Sequence, residues 1–212
     1  MVPYYDRDGI VIYHGDCRDV LPYIDPASVD LLLTDPPYGI GMETDFGRAT
    51  KFSGGAGRSY VSVHGDNTRY DPALLLNFPR MVLFGANHYC QLVPVGGRWL
   101  LWLKRDGVLS AGEMAWHNLS GRPVEVFEYS IKRTKVTDGV LHPTQKPAAL
   151  MRWIVDKWTK PGDLVLDPYM GSGPVAQACH ELGRRYIGIE LVEDYCAIAV
   201  KRLAQQTLAL EF

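Results

Sequence analysis

The chain has 212 residues, the size of one domain with at most a small insertion. Its 47% hydrophobic and 22% charged residues are typical of a globular protein and exclude a disordered, collagen-like or coiled-coil chain. Its 22 Lys and Arg against 24 Asp and Glu give a net charge of -2, which excludes nucleic-acid binding by overall charge but not by a local basic patch.

Cysteine spacing and the apolar runs indicate an intracellular protein. The four cysteines never approach CxxC spacing, so we expect small buried side chains in a reducing compartment. The N-terminal residues MVPYYDRDG lack the basic start and apolar run of a signal peptide. The longest apolar stretches, such as residues 99–103, have only strand length. We therefore expect a cytoplasmic location, with no membrane association and no metal.

Short apolar runs bounded by turn residues predict seven buried strands. These runs cover residues 10–13, 30–34, 81–85, 99–104, 125–129, 164–167 and 186–190. Helices are predicted over residues 147–158, 173–182 and 194–208; the first has proline in its first turn and the second ends before Gly183. This alternation predicts a doubly wound, mostly parallel α/β sheet of seven strands.

A glycine-rich stretch over residues 40–67 interrupts the alternation and carries Arg48, Lys51 and Arg58. A loop of this length inside a compact domain is usually a lid, a binding loop or a disordered segment. We therefore predict a single domain over residues 1–212, in which residues 40–67 form a mobile loop.

The strongest chemical signal is Asp35-Pro36-Pro37-Tyr38, directly after a predicted strand. Ligands of open α/β sheets bind beyond the carboxyl ends of strands, although a plain Pro-Pro turn capped by Asp35 is the simpler alternative. The prolines hold the backbone rigid, so the Asp35 carboxylate and the Pro36 carbonyl form two fixed acceptors. Two such acceptors suit a planar –NH2 group, and Tyr38 offers a ring for stacking on a base.

A glycine-containing segment, DPYMGSGP over residues 167–174, joins a predicted strand to a helix. Its glycines allow a cofactor to approach the helix N-terminus closely. Glu190 ends the next predicted strand, where an acid typically binds ribose hydroxyls. The third glycine of a dinucleotide fingerprint is missing, so an adenosyl cofactor fits better than a nicotinamide.

Two other segments carry little information by themselves. Gly15-Asp16-Cys17 follows the first predicted strand, and there Asp16 alone predicts a helix N-cap. The segment HPTQKP over residues 142–147 alone predicts only a polar loop that leads into a helix.

Together, GDCRDVL, LLLTDPPYGI, HPTQKP and VLDPYMGSGPVAQACHELGRRYIGIE resemble the S-adenosylmethionine-dependent DNA amino-methyltransferases, the N6-adenine/N4-cytosine family. The DPPY segment precedes the glycine-rich one, as in the circularly permuted β-class order, and the size resembles that of small phage- or prophage-encoded members. The match covers residues 10–40 and 140–203; between them, VLFGANHY and GRWLLWLK resemble two further strands more weakly. The resemblance implies a Rossmann-like methyltransferase fold, S-adenosylmethionine as cofactor and DNA as partner.

The resemblance also implies how a target base is held. Asp35 and the Pro36 carbonyl would accept hydrogen bonds from its amino group. Pro37 would keep the turn rigid, and Tyr38 would stack on the base once it has left the duplex. Relatives that methylate cytosine N4 more often carry Ser in the place of Asp35, so we expect adenine N6 as the target.

On the cofactor side, the resemblance implies that Asp16 contacts the adenine amino group, with Cys17 contributing its backbone, and that Glu190 binds the ribose hydroxyls. The residues implied at the methionine end are Asp167, Pro168, Gly171, Ser172 and Gly173, with Thr144 and Lys146 nearby. The sequence departs from the family at Pro174 and Val175, where threonines are usual. Proline in a first helical turn costs little, so this departure does not indicate a broken site.

Several alternatives stay open at the level of sequence. They are a cytosine-N4 DNA methyltransferase, an enzyme that methylates RNA or a protein amide, and a catalytically silent module that binds DNA or the cofactor. A nicotinamide oxidoreductase is the weakest of the alternatives because of the glycine spacing.

Basic residues in two places are candidate DNA contacts, the alternative being a solvated surface. They are Arg48, Lys51 and Arg58 in the glycine-rich loop, and Lys132, Arg133 and Lys135 before HPTQKP. A homodimer is a candidate assembly, since it would enlarge the DNA footprint.

Overall fold

The computed structural model describes residues 1–40, 66–104, 110–130, 132 and 145–210, with side chains up to residue 205. The strands of this part of the chain are β1 (Tyr5–Arg7), β2 (Ile10–His14), β3 (Leu31–Thr34), β4 (Met81–Phe84), β5 (Arg98–Leu103), β6 (Gly112–His117), β7 (Val124–Glu128), β8 (Leu164–Asp167) and β9 (Arg185–Glu190). They form one sheet of nine strands in the order β1-β2-β9-β8-β3-β4-β6-β5-β7.

The expectation of a mostly parallel α/β sheet is confirmed. Strands β2, β9, β8, β3 and β4 are parallel neighbours, and β5 and β7 run in the same direction. Only β1 and β6 run the opposite way among the described strands, β6 between β4 and β5. All seven predicted strands are present, but the predicted number of seven is wrong because β1 and β6 were missed. The first is short and mostly exposed, and the second mixes Gly and Glu with its apolar residues.

The helices of the described residues are α1 (Cys17–Val20), α2 (Ala148–Trp158), α3 (Pro174–Leu182) and α4 (Glu193–Leu210). The sequence determines their ends: Pro174 occupies the first turn of α3, and Gly183 ends it in a left-handed conformation with φ 67°. None of the described helices has the length and apolar character that crossing a membrane requires.

Apolar side chains cover the sheet on both faces. In β3, Leu31 and Leu33 pack into the core that α2, α3 and α4 share, whereas Leu32 packs into a second core on the opposite face. That second core includes Tyr70 and Phe78 from the connection between β3 and β4. The longer described helices therefore lie on one face, and α1 with the short turns of residues 66–92 covers the other.

The carboxyl ends of the parallel strands bring the predicted motifs to one edge of the sheet. Asp35 follows β3, while Asp167 and Glu190 end β8 and β9. The chain leaves β3 toward β4 and leaves β8 toward β9, so the boundary between β3 and β8 is the switch point where ligands of such sheets bind. A buried hydrogen bond from Thr34 Oγ1 to Asp167 Oδ1, 2.7 Å long, joins the two strands there.

His117, at the end of β6, makes part of the protein's stability depend on pH. Its ring is fully buried and packs on Trp158, with 4.8 Å between ring centroids. Burial, aided by the charges of Arg98 and Lys157, lowers the pKa of His117 to about 4. Because this value lies below the unfolded-state value of about 6.5, the neutral ring contributes full stability above pH 6.5, which is lost as the pH falls toward 4.

We expect wild type to lose about 2 kcal/mol more unfolding free energy between pH 7 and pH 5 than His117→Asn does, because asparagine does not titrate. Urea unfolding at the two pH values measures this difference. His14→Asn, which changes an exposed histidine, serves as the control. Equal losses in wild type and His117→Asn would contradict the assignment.

Candidate active site

A cavity of about 530 Å³ lies at the carboxyl edge and spans the switch point. Cofactor sites commonly have volumes of this order. Among the described residues that the sequence predicted for catalysis or cofactor binding, only Gly173 is not part of its wall. The predicted residues that line it are Asp16, Cys17, Asp35, Pro36, Pro37, Tyr38, Lys146, Asp167, Pro168, Gly171, Ser172 and Glu190.

The DPPY turn is held by a buried carboxylate that sequence reasoning missed. Asp66 Oδ1 accepts hydrogen bonds from the backbone N–H groups of Tyr38 and Gly39, at 3.0 and 2.9 Å. Asp66 is only 5% exposed. Its sequence context, Gly-Asp-Asn, indicates no more than a turn, so no local signal links it to residues 38–40.

Tyr38 lies between Asp35 and a second ring. Its hydroxyl donates a 2.5 Å hydrogen bond to Asp35 Oδ1, and its ring stacks on His88 with 5.2 Å between centroids. Burial, and then the Asp35 charge, raises the pKa of Tyr38 well above its ordinary value, so the phenol stays a neutral donor. At Gly85, φ is +67° and an added Cβ would lie 1.9 Å from Tyr38 Cε1.

Gly85→Ala is expected to displace the Tyr38 ring and to lower the rate of the reaction at this site by about tenfold or more, since misplacing a contacting group by about 1 Å is costly. Gly96→Ala is the matched control, because Gly96 also has a positive φ (+88°) but an added Cβ meets nothing within 4 Å. Activity at equal folded fraction measures the effect. Equal activity in the two variants would contradict the role given to Tyr38.

Lys146 contacts the DPPY turn. Its Nζ binds Asp35 Oδ2 and lies 3.3 Å from the Tyr38 hydroxyl. A second carboxylate, Glu113 on β6, lies 3.0 Å from the same Nζ. Burial alone would lower the pKa of Lys146, but Asp35 and Glu113 outweigh it and raise the pKa well above its ordinary value. The resemblance implied that Lys146 lies beside the cofactor's methionine end, which stays a prediction; in the structure its ammonium pairs with Asp35.

Two aspartates at the switch point have raised pKa values. Burial raises the pKa of Asp35; Lys146 opposes this effect and Glu113 adds to it. Burial also raises the pKa of Asp167 to about 7, although the Thr34 hydroxyl favours its ionised form. Perturbed carboxyl groups of this kind, grouped in one cavity, are typical of functional sites.

Glu190 joins the loop that follows β8 to the turn that follows β9. Its Oε2 accepts from Gly171 N and its Oε1 from Val192 N, each at 2.8 Å. Gly173 has φ +78°, and an added Cβ would lie 2.7 Å from Ala199 Cβ, so this glycine lets α3 approach α4 closely. Glu190 and Gly173 therefore fix the shape of the loop that the sequence assigned to a cofactor.

Asp16 is the N-cap of α1, as its position predicted. Its carboxylate accepts from Arg18 N at 2.9 Å and from Arg18 Nε at 3.0 Å. The Arg18 guanidinium lowers the pKa of Asp16, against the effect of burial. The adjacent Cys17 is buried, and burial raises the pKa of its thiol, so it stays neutral.

The cavity wall is rich in hydrogen-bond acceptors. Carboxylates at three neighbouring strand ends, those of Asp16, Glu190 and Asp167, can accept from amino and hydroxyl groups and favour a cation. Gly171, with φ 55°, adds no side chain to the wall. Within the described ranges, no group of three or more potential metal-ligating side chains is present.

Several predicted residues lie outside the described part of the chain. They are Thr144 and the basic residues Arg48, Lys51, Arg58, Arg133 and Lys135, together with most of the loop predicted over residues 40–67. Lys132, the other basic residue predicted to contact DNA, is described and exposed.

A family model described as DNA methylase, that of the N6/N4 methyltransferases, matches residues 95–201. The chain belongs to this family. The methylase is 26% identical, over a 250-residue alignment, to the Type II methyltransferase M2.LlaDCHI of Lactococcus lactis subsp. cremoris, with 95% of the chain and 91% of the relative covered.

Solved structures match the fold of the methylase. The crystal structure of M1.HpyAVI matches the methylase with a TM-score of 0.53 and 25% identity, over 92% of this chain and 99% of the other. The PvuII cytosine-N4-specific DNA methyltransferase matches with a TM-score of 0.63 and 16% identity, over 94% and 88% of the two chains. The expected Rossmann-like methyltransferase fold is thereby confirmed, while the β-class motif order and the phage-type origin stay predictions.

Proposed function

We propose that this DNA amino-methyltransferase acts on the N6 amino group of adenine and that the residues of the DPPY turn hold that group. The observation that carries the proposal is the placement of Asp35 in one cavity with the glycine loop and Glu190. The family membership makes the protein a DNA methylase of the N6-adenine/N4-cytosine type with S-adenosylmethionine as its cofactor. The choice of adenine rests on Asp at position 35, where cytosine-N4 relatives more often carry Ser.

The amino group of a base is a weak nucleophile because its lone pair is delocalised into the ring. The target half of the site, formed by the DPPY turn, increases this nucleophilicity. Acceptors at Asp35 and at the Pro36 carbonyl localise that lone pair and stabilise positive charge as it develops on the nitrogen. Each oxygen of a carboxylate accepts more than one hydrogen bond, so the amino group can join Tyr38 at Asp35 Oδ1. After transfer, Asp35 is placed to accept the proton that the nitrogen loses.

Base binding at this site requires the target to leave the duplex stack, which costs a few kcal/mol. The ring of Tyr38, which stacks on His88, provides a flat surface on which the extruded base can stack, and this stacking offsets part of the cost. The Pro36-Pro37 turn and the N–H groups held by Asp66 keep that ring in place.

In the cofactor half, Glu190 is assigned to the ribose hydroxyls and Asp16 to the adenine amino group. Asp167, Pro168, Gly171, Ser172 and Gly173 are assigned to the methionine end, with Thr144 beside them. When bound, S-adenosylmethionine supplies an electrophilic methyl group on a cationic sulfur. M1.HpyAVI, a protein of the same fold, has been crystallised with this cofactor.

DNA contacts are assigned to the basic residues that the sequence singled out, Lys132 among the described ones. We also propose that residues 1–212 form one methyltransferase domain.

Nucleoside analysis tests the choice of base directly. Genomic DNA from an unmethylated host is incubated with the protein and S-adenosylmethionine and then digested to nucleosides. The methylated nucleoside is identified by mass spectrometry. We expect N6-methyldeoxyadenosine, formed about 1,000-fold more slowly when Asp35→Asn replaces the wild type. N4-methyldeoxycytidine as the product would contradict the choice of adenine while keeping the amino-methyltransferase chemistry.

A further inference from the structure

A chain of alternating charges lies beside Asp35, and two of its members, Lys104 and Glu113, have no role in the reaction as described so far. Lys104, directly after β5, contacts Glu113 Oε1. Glu113 Oε2 lies 3.0 Å from Lys146 Nζ, which in turn contacts Asp35 Oδ2. The side chains of Lys104 and Lys146 are only 10% and 3% exposed, whereas those of Glu113 and Asp35 are 28% and 21% exposed, so the two ammonium groups are buried and the two carboxylates are partly buried.

A network of this kind contributes little net stability. The desolvation of buried charges commonly offsets their mutual attraction, and apolar replacements of similar volume are often as stable. The network instead adjoins Asp35, the carboxylate proposed to bind the amino group of the target base. Lys146 Nζ also lies 5.7 Å from the centroid of the Tyr38 ring and 5.4 Å from that of Phe84, so aromatic rings confine the ammonium beside the two carboxylates.

We propose that Lys146 and Glu113 are positioning residues for Asp35, and that Lys146 serves the target half of the site. Lys146 binds Oδ2 of Asp35 and so fixes the carboxylate with Oδ1 free to serve Tyr38 and the amino group. Glu113 engages the same ammonium, so Lys146 is shared between two carboxylates. Lys104 balances the charge of Glu113.

This inference rests on the proposed role of Asp35 as the amino-group acceptor, and it holds for adenine and cytosine alike. The groups that act on Asp35 come from several elements: Tyr38 from its own turn, Lys146 from before α2 and Glu113 from β6. Asp167 at the end of β8 and Tyr89 after β4 also interact with it electrostatically. Lys146 lowers the pKa of Asp35 and Glu113 raises it, so removing one or the other has opposite consequences.

Two substitutions, Lys146→Met and Glu113→Gln, test the inference. We expect Lys146→Met to raise the pKa of Asp35, to move the fall of the methylation rate at acidic pH to higher pH, and to slow the reaction at neutral pH by about 10- to 100-fold. Glu113→Gln is expected to move this fall to lower pH. Lys146→Arg, which keeps the charge, is expected to retain the wild-type pH dependence. Cofactor affinity is expected to stay at the wild-type value in all three variants.

Three measurements are compared: NMR titration of the Asp35 carboxyl carbon in the cofactor-free protein, calorimetry of S-adenosylmethionine binding, and the pH profile of the rate. Glu125→Gln and Lys157→Met are the matched controls, because that pair is another partly buried ion pair, 3.2 Å long, outside the cavity. A titration of Asp35 that moves in the same direction in both test variants, or in neither, would overturn the inference. The inference would also be overturned if Lys146→Met lowered cofactor affinity about tenfold while the pKa of Asp35 stayed at its wild-type value.

The failure of this inference can be told apart from failure of the proposed function. The carboxyl titration needs no substrate and no turnover, so it decides the pairing of Asp35 whatever base the wild-type protein methylates. Nucleoside analysis of the wild-type reaction decides the target base whatever the charge network does.

Discussion

Replacing Asp35 with asparagine is expected to lower the rate of methyl transfer to DNA by about 1,000-fold and to leave cofactor affinity unchanged. Asparagine keeps the shape of the side chain but loses the negative charge that stabilises the developing cation. Its amide NH2 would also face either the Tyr38 hydroxyl or Lys146 Nζ, both of which are donors to Asp35 in the wild type. Single-turnover transfer of tritium from labelled S-adenosylmethionine measures the rate, and calorimetry measures the affinity.

The control for this variant is Asp25→Asn. Asp25 is an exposed carboxylate that caps the turn before β3, and asparagine is an equally good cap. We expect it to behave as wild type in both measurements. A rate for Asp35→Asn within tenfold of wild type would mean that this carboxylate is not the acceptor of the amino group.

Replacing Glu190 with glutamine is expected to have its main effect on the cofactor. One of the two oxygens becomes an NH2 group, which must face a backbone N–H of either Gly171 or Val192. Each lost charge-assisted hydrogen bond costs about 2 kcal/mol, and the ribose hydroxyls lose their anionic partner as well. We therefore expect the Kd for S-adenosylmethionine to rise about 100-fold, with the rate at saturating cofactor much less affected.

Calorimetric titration with S-adenosylmethionine measures this Kd. Glu193→Gln, a change to an exposed glutamate in the first turn of α4, is the control and should bind as wild type does. Glu190→Gln binding with unchanged Kd would place the ribose elsewhere. Together with Asp35→Asn, the variant separates the two halves of the cavity: one substitution affects chemistry, the other affects binding.

The central strands and the location of the site could be predicted because they depend on local patterns. Buried parallel strands read as continuous apolar runs, and the residues after such strands meet at one edge of the sheet. Asp35 and Glu190 are far apart in sequence, yet both line the same cavity for this reason. Strand β6 was missed because its first residues, Gly112 and Glu113, do not continue an apolar run.

The partners of the predicted residues could not be found in the same way. Asp66 binds the backbone of the DPPY turn, and Glu113 binds Lys146, only because separate elements meet in the folded sheet. Lys146 itself was singled out, but spacing along the chain cannot tell which of two adjoining half-sites its long side chain enters. Its contact with Asp35 emerges only from the packing of the segment before α2 against the ends of β3 and β6.

The most direct test of where the cofactor and the target base bind is a crystal structure of the protein with duplex DNA and sinefungin, an unreactive analogue of S-adenosylmethionine. The account predicts that the analogue occupies the cavity with its ribose at Glu190, and that a flipped adenine stacks on Tyr38 with its amino group hydrogen-bonded to Asp35 and the Pro36 carbonyl. An analogue bound outside this cavity, or a base whose amino group faces away from Asp35, would contradict the account.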